Sequence, residues 1–335
     1  MKKFFALILA LAMALSLVAC GGGTDNGDGG SNGGATTKMR FVTGGESGTY
    51  YAFGSVIAQH ATNNAGIDVV GLVGNGSQSN VQELQDGNAE LAFCQSDVMA
   101  YAYNGTNIFA DHGKVDCFST VAALYMEQVQ IVTVDPTIKT VEDLAGKKVS
   151  VGAAGSGVYF NAKDILTAYG LGDVNENDEF TQINATYQSF GDSANDLKDG
   201  KIDAAFVVAG APTTAVVDLS TAAQVYVIPV DGAERDSLMK DYAFYTKTTI
   251  PAGTYKGQDA DVETVSVRAT LIAADDVSED AVYELVKAMF DNQEELVKGH
   301  EKFNNLKLED ATKGIDVKFH PGAVKFFKEK GIDVA

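Results

Sequence analysis

The chain has 335 residues and carries 45 Asp and Glu against 25 Lys and Arg, a formal net charge of −20. That balance excludes nucleic acid and anionic membrane surfaces as partners, because both are held by basic contacts. The four histidines, His60, His112, His300 and His320, have no metal-ligand spacing, and neither a Walker loop nor a Gly-x-Ser-x-Gly elbow is present, so neither an enzyme nor a cofactor or metal is expected.

Met1 to Cys20 reads as a targeting segment: Lys2-Lys3, an apolar run from Phe4 to Val18, and small residues at its end. Leu17-Val18-Ala19-Cys20 matches the lipobox of bacterial lipoproteins, which implies cleavage before Cys20, its lipidation, and an extracytoplasmic protein anchored to the membrane. The alternative is an ordinary signal peptide with a chance cysteine. Residues 21–38 are rich in Gly, Asp, Asn, Ser and Thr and read as a tether. Cys94 and Cys117 sit beside apolar residues, so buried free thiols are expected in preference to a disulfide.

From Met39 the pattern alternates strand and helix, which predicts a mainly parallel α/β sheet with ligand-contacting residues at the carboxyl ends of strands. Met39 to Thr43 is the first strand. Gly44-Gly45-Glu46-Ser47-Gly48-Thr49-Tyr50-Tyr51 is a turn leading into a helix to about Asn63. Ile67 to Val73 is a strand ending at Gly74-Asn75-Gly76, followed by a short helix over Val81 to Gln85 with Ser79 at its start. Leu91 to Cys94 is a third strand, and Asp97 reads as the N-cap of the next helix. Val121 to Tyr125 and Gln128 to Val134 are separate strands around Met126-Glu127, the second being a crossover between lobes; Thr264 to Ala274 is the return. Further helices are expected at Asp192 to Lys198 and at Glu279 to Phe290, the latter with Val282, Leu285, Val286 and Met289 on one face.

The first turn has a counterpart 109 positions later, where Ser156-Gly157-Val158-Tyr159-Phe160 opens another helix. A helix start offers N–H groups without intrahelical partners and a partial positive charge, so the duplicated turn suggests an anion clamped from two sides. The glycines have a second reading as tight-turn residues that need no ligand. In each aromatic pair, Tyr50 with Tyr51 and Tyr159 with Phe160, one ring is expected inside and the other on the cleft. Asn75 and Gln95 offer amide donors and acceptors. Glu127 either pairs with a ligand ammonium or is a solvated carboxylate. Arg40, Arg235 and Arg268 all lie outside the glycine turns, so a carboxylate ligand is expected on backbone N–H groups and hydroxyls instead of a guanidinium fork.

The S-G-T-Y-Y turn, G-N-G-S-Q-S-N, D-G-N-A-E-L-A-F-C-Q-S-D, D-L-A-G-K-K-V-S-V-G-A-A-G-S-G and V-S-V-R-A-T-L-I-A together resemble the TAXI family of solute receptors for tripartite ATP-independent periplasmic (TRAP) transporters. The resemblance implies a type II periplasmic-binding-protein fold: two similar α/β lobes joined by two crossover strands with a ligand cleft between them. The duplicated motif and the two crossovers read from the residues place lobe I at 39–130 plus 270–335 and lobe II at 131–269. The resemblance also implies a small carboxylate ligand, of glutamate, glutamine or 2-oxo acid type, delivered to the TRAP membrane subunits. The contacts carried over are Thr49, Tyr50, Tyr51, Asn75, Asn80, Gln95, Ser156 and Gly157, with Glu127 and Tyr159 added from the residue reading. Two departures bear on specificity: Val158 stands where the family usually has threonine, and Gln128-Val129-Gln130 where it often has Pro-Val-His. A ligand-sensing lipoprotein and the binding component of an ABC importer are the alternative functions.

Overall fold

A computed structural model describes residues 38–110 and 113–334. The leader, Cys20, His112 and all of the tether except Lys38 lie outside the described residues. Lys38 itself opens the first strand.

Strand β1 (Lys38–Val42) runs through the glycine turn into α1 (Thr49–Asn64), β2 (Asp68–Leu72) into α2 (Ser77–Gln85), and β3 (Leu91–Gln95) directly into α3 (Ser96–Asn104). The long strand β4 (Phe118–Thr133) follows. Then come β5 (Lys148–Ser150), α4 (Val158–Ala168), β6 (Asn184–Thr186), α5 (Phe190–Lys198), β7 (Ala204–Ala209), α6 (Thr214–Ala222), β8 (Tyr226–Ile228), α7 (Gly232–Asp241) and β9 (Thr246–Ile250). A second long strand, β10 (Val262–Ala274), leads back to α8 (Glu279–Asp291), α9 (Gln293–Gly299) and α10 (Pro321–Glu329).

The sheet order is β2-β1-β3-β10-β4-β7-β5-β6, with β8 on β4 and β9 on β10. Pairs β1/β2, β1/β3, β5/β6 and β5/β7 are parallel, whereas β4 and β10 run antiparallel to each other and to their other partners. The sheet is therefore mixed and not mainly parallel, because the two longest strands cross it in opposite directions. Nor is there a break at Met126-Glu127. The two strands expected there are one, Phe118–Thr133, paired with β10 from Phe118 to Gln128 and with β7 from Gln128 to Thr133; the ladder irregularity nearest that point falls between Ala123 and Met126 and does not interrupt the strand.

Apolar side chains gather on either side of the middle of β4 and β10. One core draws on Met39 to Tyr125 and Ala269 to Phe327, joined by Phe160. The others draw only on residues from Val129 to Val267. Two α/β halves linked by two crossover strands result, as the α/β class expected from sequence requires. Helix α8 illustrates the local logic: the Ser278 hydroxyl accepts from the Ala281 N–H at 3.3 Å, capping the helix, and Val282, Leu285, Val286 and Met289 are all buried along one face. Cys94 is buried but Cys117 is exposed, and both are free thiols, so the expectation of burial holds for only one of them.

Candidate functional site

A cavity of about 340 Å³ lies between the halves, in the size range of small-molecule sites. Its wall is made largely of helix starts. The α1 N-cap is Gly48, that of α2 is Gly76 and that of α4 is Gly157, and none of the three carries a side-chain cap. The fourth, Ser189 of α5, accepts from the Asp192 N–H at 3.1 Å. Glycine caps leave the first N–H groups of each helix unclaimed by their own side chains, so the wall presents donors and positive dipole ends to the cavity. The 109-residue offset survives in space, since Gly48 and Gly157 cap the two matched helices.

Two glycines are there for space or backbone. Gly76 has φ +109°, a region that L side chains rarely adopt. Gly157 has an ordinary helical φ, but a Cβ on it would sit 1.5 Å from Gln95 Oε1.

Of the sequence-derived site residues, Thr49, Tyr50, Asn75, Gln95, Glu127, Ser156 and Gly157 line the cavity. Thr49 donates its hydroxyl to the Gly210 carbonyl at 3.0 Å, tying one half to the other. Gln95 donates through Nε2 to Asn161 Oδ1 at 2.9 Å, and its Oε1 is buried without a protein partner, as is Ser156 Oγ. Tyr51, Asn80 and Tyr159 are not brought to the cavity. Tyr51 is half-buried on α1. Asn80 is buried, and its Nδ2 donates to the Thr43 and Phe93 carbonyls at 2.6 and 2.8 Å, tying the end of β1 to the middle of β3. Tyr159 turns outward and donates to Asp178 Oδ2 at 2.6 Å, while its neighbour Phe160 enters the core, so neither ring of that pair lines the cleft. Asp97 is not the N-cap of α3, a position held by Gln95; it lies in the first turn, fully buried, and accepts from Asn161 Nδ2 at 2.9 Å.

Sequence reasoning missed the α5 start. Gln188, Ser189, Phe190, Gly191, Asp192 and Asn195 all line the cavity. The available signal was Ser189-x-x-Asp192, a capping-box-like pattern that makes Ser189 the N-cap and starts the helix at Phe190, two residues before the expected Asp192.

The electrostatics are one-sided. Among the lining residues the charged ones are Glu46, Glu127 and Asp192, with no Lys, Arg or His. Glu46 and Asp192 are exposed, whereas Glu127 is 2% exposed and accepts from the Tyr50 hydroxyl at 3.3 Å. Glu127 is therefore not the solvated carboxylate that the sequence left open. Burial, reinforced by the Asp97 carboxyl, holds its carboxyl well above the usual range, which favours the neutral form. Burial likewise pushes Asp97 up to about 6 and Asp164 up to about 7.

The fold is similar to that of the periplasmic aliphatic sulphonate binding protein SsuA from Escherichia coli, at 16% identity over 82% of this chain and 80% of that one, TM-score 0.44. A putative L-cystine ABC transporter from Listeria monocytogenes matches at 17% identity over 81% and 99%, TM-score 0.48. An ancestral arginine-binding protein bound to arginine matches at 17% identity over 79% and 97%, TM-score 0.47. Residues 41–331 match the sequence model of the NMT1-like family, and the chain belongs to that family.

Proposed function

We propose that this protein is an extracytoplasmic solute receptor, anchored through lipidated Cys20, that binds a small carboxylate between its two halves and hands it to a membrane permease. The lobes run over 39–130 plus 270–335 and over 131–269. The observation that carries the reading is the convergence of three glycine-capped helix starts on one cavity beside the unpartnered Ser156 Oγ and Gln95 Oε1. Backbone N–H groups there take the ligand carboxylate, in the absence of any lining cation. Each half supplies part of the site, α1 and α2 from one and α4 and α5 from the other. A bound ligand then favours the closed arrangement by the affinity that the second half adds. No bond is made or broken.

The motifs resembling the TAXI family support TRAP membrane subunits as the partner. Co-purification of the receptor with such subunits in the presence of ligand tests that point; capture of an ABC permease instead would replace the partner and leave the binding reading intact.

The binding reading is tested by thermal unfolding against glutamate, glutamine, 2-oxoglutarate, other dicarboxylates and neutral amino acids. A ligand at about a hundred times its dissociation constant adds ~2.7 kcal/mol, seen as a raised midpoint. No shift with any carboxylate would remove the anion-capture role of the helix starts.

A further inference from the structure

We propose that Glu127 selects for an ammonium group on the ligand, and that its carboxyl proton leaves for bulk water as such a ligand enters. The inference rests on the receptor reading above. Glu127 is the single buried charged side chain on the cavity wall, and no lining cation is available to pair with it. Glu46 and Asp192 are solvated at the rim and contribute little to holding a cation.

The groups around Glu127 are all acids or neutral. Tyr50 faces it from α1, Cys94 from β3, Asp97 from α3 and Tyr125 from β4. On β10 the residue opposite is Val267, and Arg268 pairs with Met126, which places it on the other face of the sheet. Nothing in this shell stabilises a carboxylate by charge, so burial favours the protonated form of Glu127. An ammonium supplies the missing cation. The O–H bond of Glu127 breaks, the proton passes to water, and the resulting carboxylate accepts from the ligand N–H. The ligand carboxylate meanwhile meets the helix starts, so the ammonium and the Glu127 carboxylate neutralise each other and the negative charge that remains in the complex rests on the helix dipoles. A 2-oxo acid brings only its negative charge and leaves Glu127 protonated.

The test is titration calorimetry of the purified protein at neutral pH, in two buffers of different ionisation enthalpy, with L-glutamate against 2-oxoglutarate and L-alanine against pyruvate. The expected result is that the amino acid of at least one pair binds about tenfold or more tightly than its oxo partner. Its binding releases about one proton, and the release is absent in Glu127→Gln. An oxo acid that binds as tightly as its amino partner, amino-acid binding without proton release, or release that persists in Glu127→Gln would each overturn the proposal. If Glu127→Gln fails to fold, the two-buffer comparison on the unaltered protein decides alone. Binding of no member of either pair counts first against the receptor reading, and the proton coupling falls with it.

Discussion

Gly157 and Asp97 show how single atoms decide what this site does. A methyl on Gly157 leaves the backbone unstrained but cannot coexist with Gln95 Oε1, which must swing away and break its bond to Asn161. Gly157→Ala is therefore expected to weaken ligand binding by about tenfold or more while leaving the fold intact. Paired calorimetry and circular dichroism check this, and unchanged affinity would mean that Gln95 is not part of the binding surface. Asp97 makes a different prediction. Its carboxyl is raised from 3.8 to about 6, so the folded protein holds the proton more tightly than the unfolded chain. The associated stability is fully present below the unfolded value and is lost as pH rises through about 6. Asp164, raised to about 7, acts with the same sign. Asp97→Asn is expected to exceed the parent in stability at about pH 8 by on the order of 3 kcal/mol, a gain that vanishes towards pH 4. Urea unfolding at the two pH values measures it; a pH-independent difference would show that Asp97 is ionised in the fold. Burial of this kind is a tertiary property, and the sequence around Asp97 shows only a helix start.

At the scale of elements, the α5 start is both a stabilising cap and a stretch of cavity wall. The Ser189 hydroxyl accepts from the Asp192 N–H and donates to Asp192 Oδ2 at 2.7 Å. Ser189→Ala is expected to lower stability by ~1 kcal/mol, read as a lower denaturation midpoint at unchanged m-value. Most of the strand and helix order was legible in the sequence, because β-branched strands and glycine-broken turns leave periodic marks. The glycine-capped starts of α1 and α4 were legible for the same reason, and their 109-residue offset carries over to Gly48 and Gly157. The symmetry does not extend to side chains. Tyr50 stacks on Phe93 at 4.8 Å and reaches Glu127, whereas its counterpart Tyr159 is drawn outward by Asp178 and Lys163. The continuity of β4 through Glu127 was hidden for a related reason: a charged residue inside a strand reads as a break unless the cavity that accommodates it is known.

Across the whole molecule, a buried cluster around Asn161 fastens the two halves, alongside the Thr49 bond to Gly210. From α4 the Asn161 Oδ1 accepts from Gln95, and its Nδ2 donates to Asp97 Oδ2 and, at 3.0 Å, to the Tyr245 hydroxyl, which in turn donates to Asp164 at 3.1 Å. Gln95 and Asp97 belong to the half built around β1 to β3, and Asn161, Asp164 and Tyr245 to the other. Two backbone bonds, Ser79 N–H to the Gly155 carbonyl at 2.9 Å and Ala215 N–H to the Ser47 carbonyl at 3.2 Å, join the rims on either side. The Ser79–Gly155 bond joins two half-exposed residues and is exchanged for water at little net change when the halves part. The Asn161 cluster is buried, so its partners must either stay together or be wetted together. Asn161→Ala removes the shared partner of Gln95 and Asp97, and unsatisfied buried groups of this kind cost ~1–3 kcal/mol each. The charge is levied on the closed arrangement, because parting of the halves lets water reach the orphaned groups. Small-angle scattering of ligand-free Asn161→Ala should therefore give a larger radius of gyration than the parent, with saturating ligand bringing the two together. An identical radius without ligand, alongside a lowered unfolding midpoint, would assign Asn161 to the packing of its own half and leave the rim contacts and the ligand to hold the cleft shut.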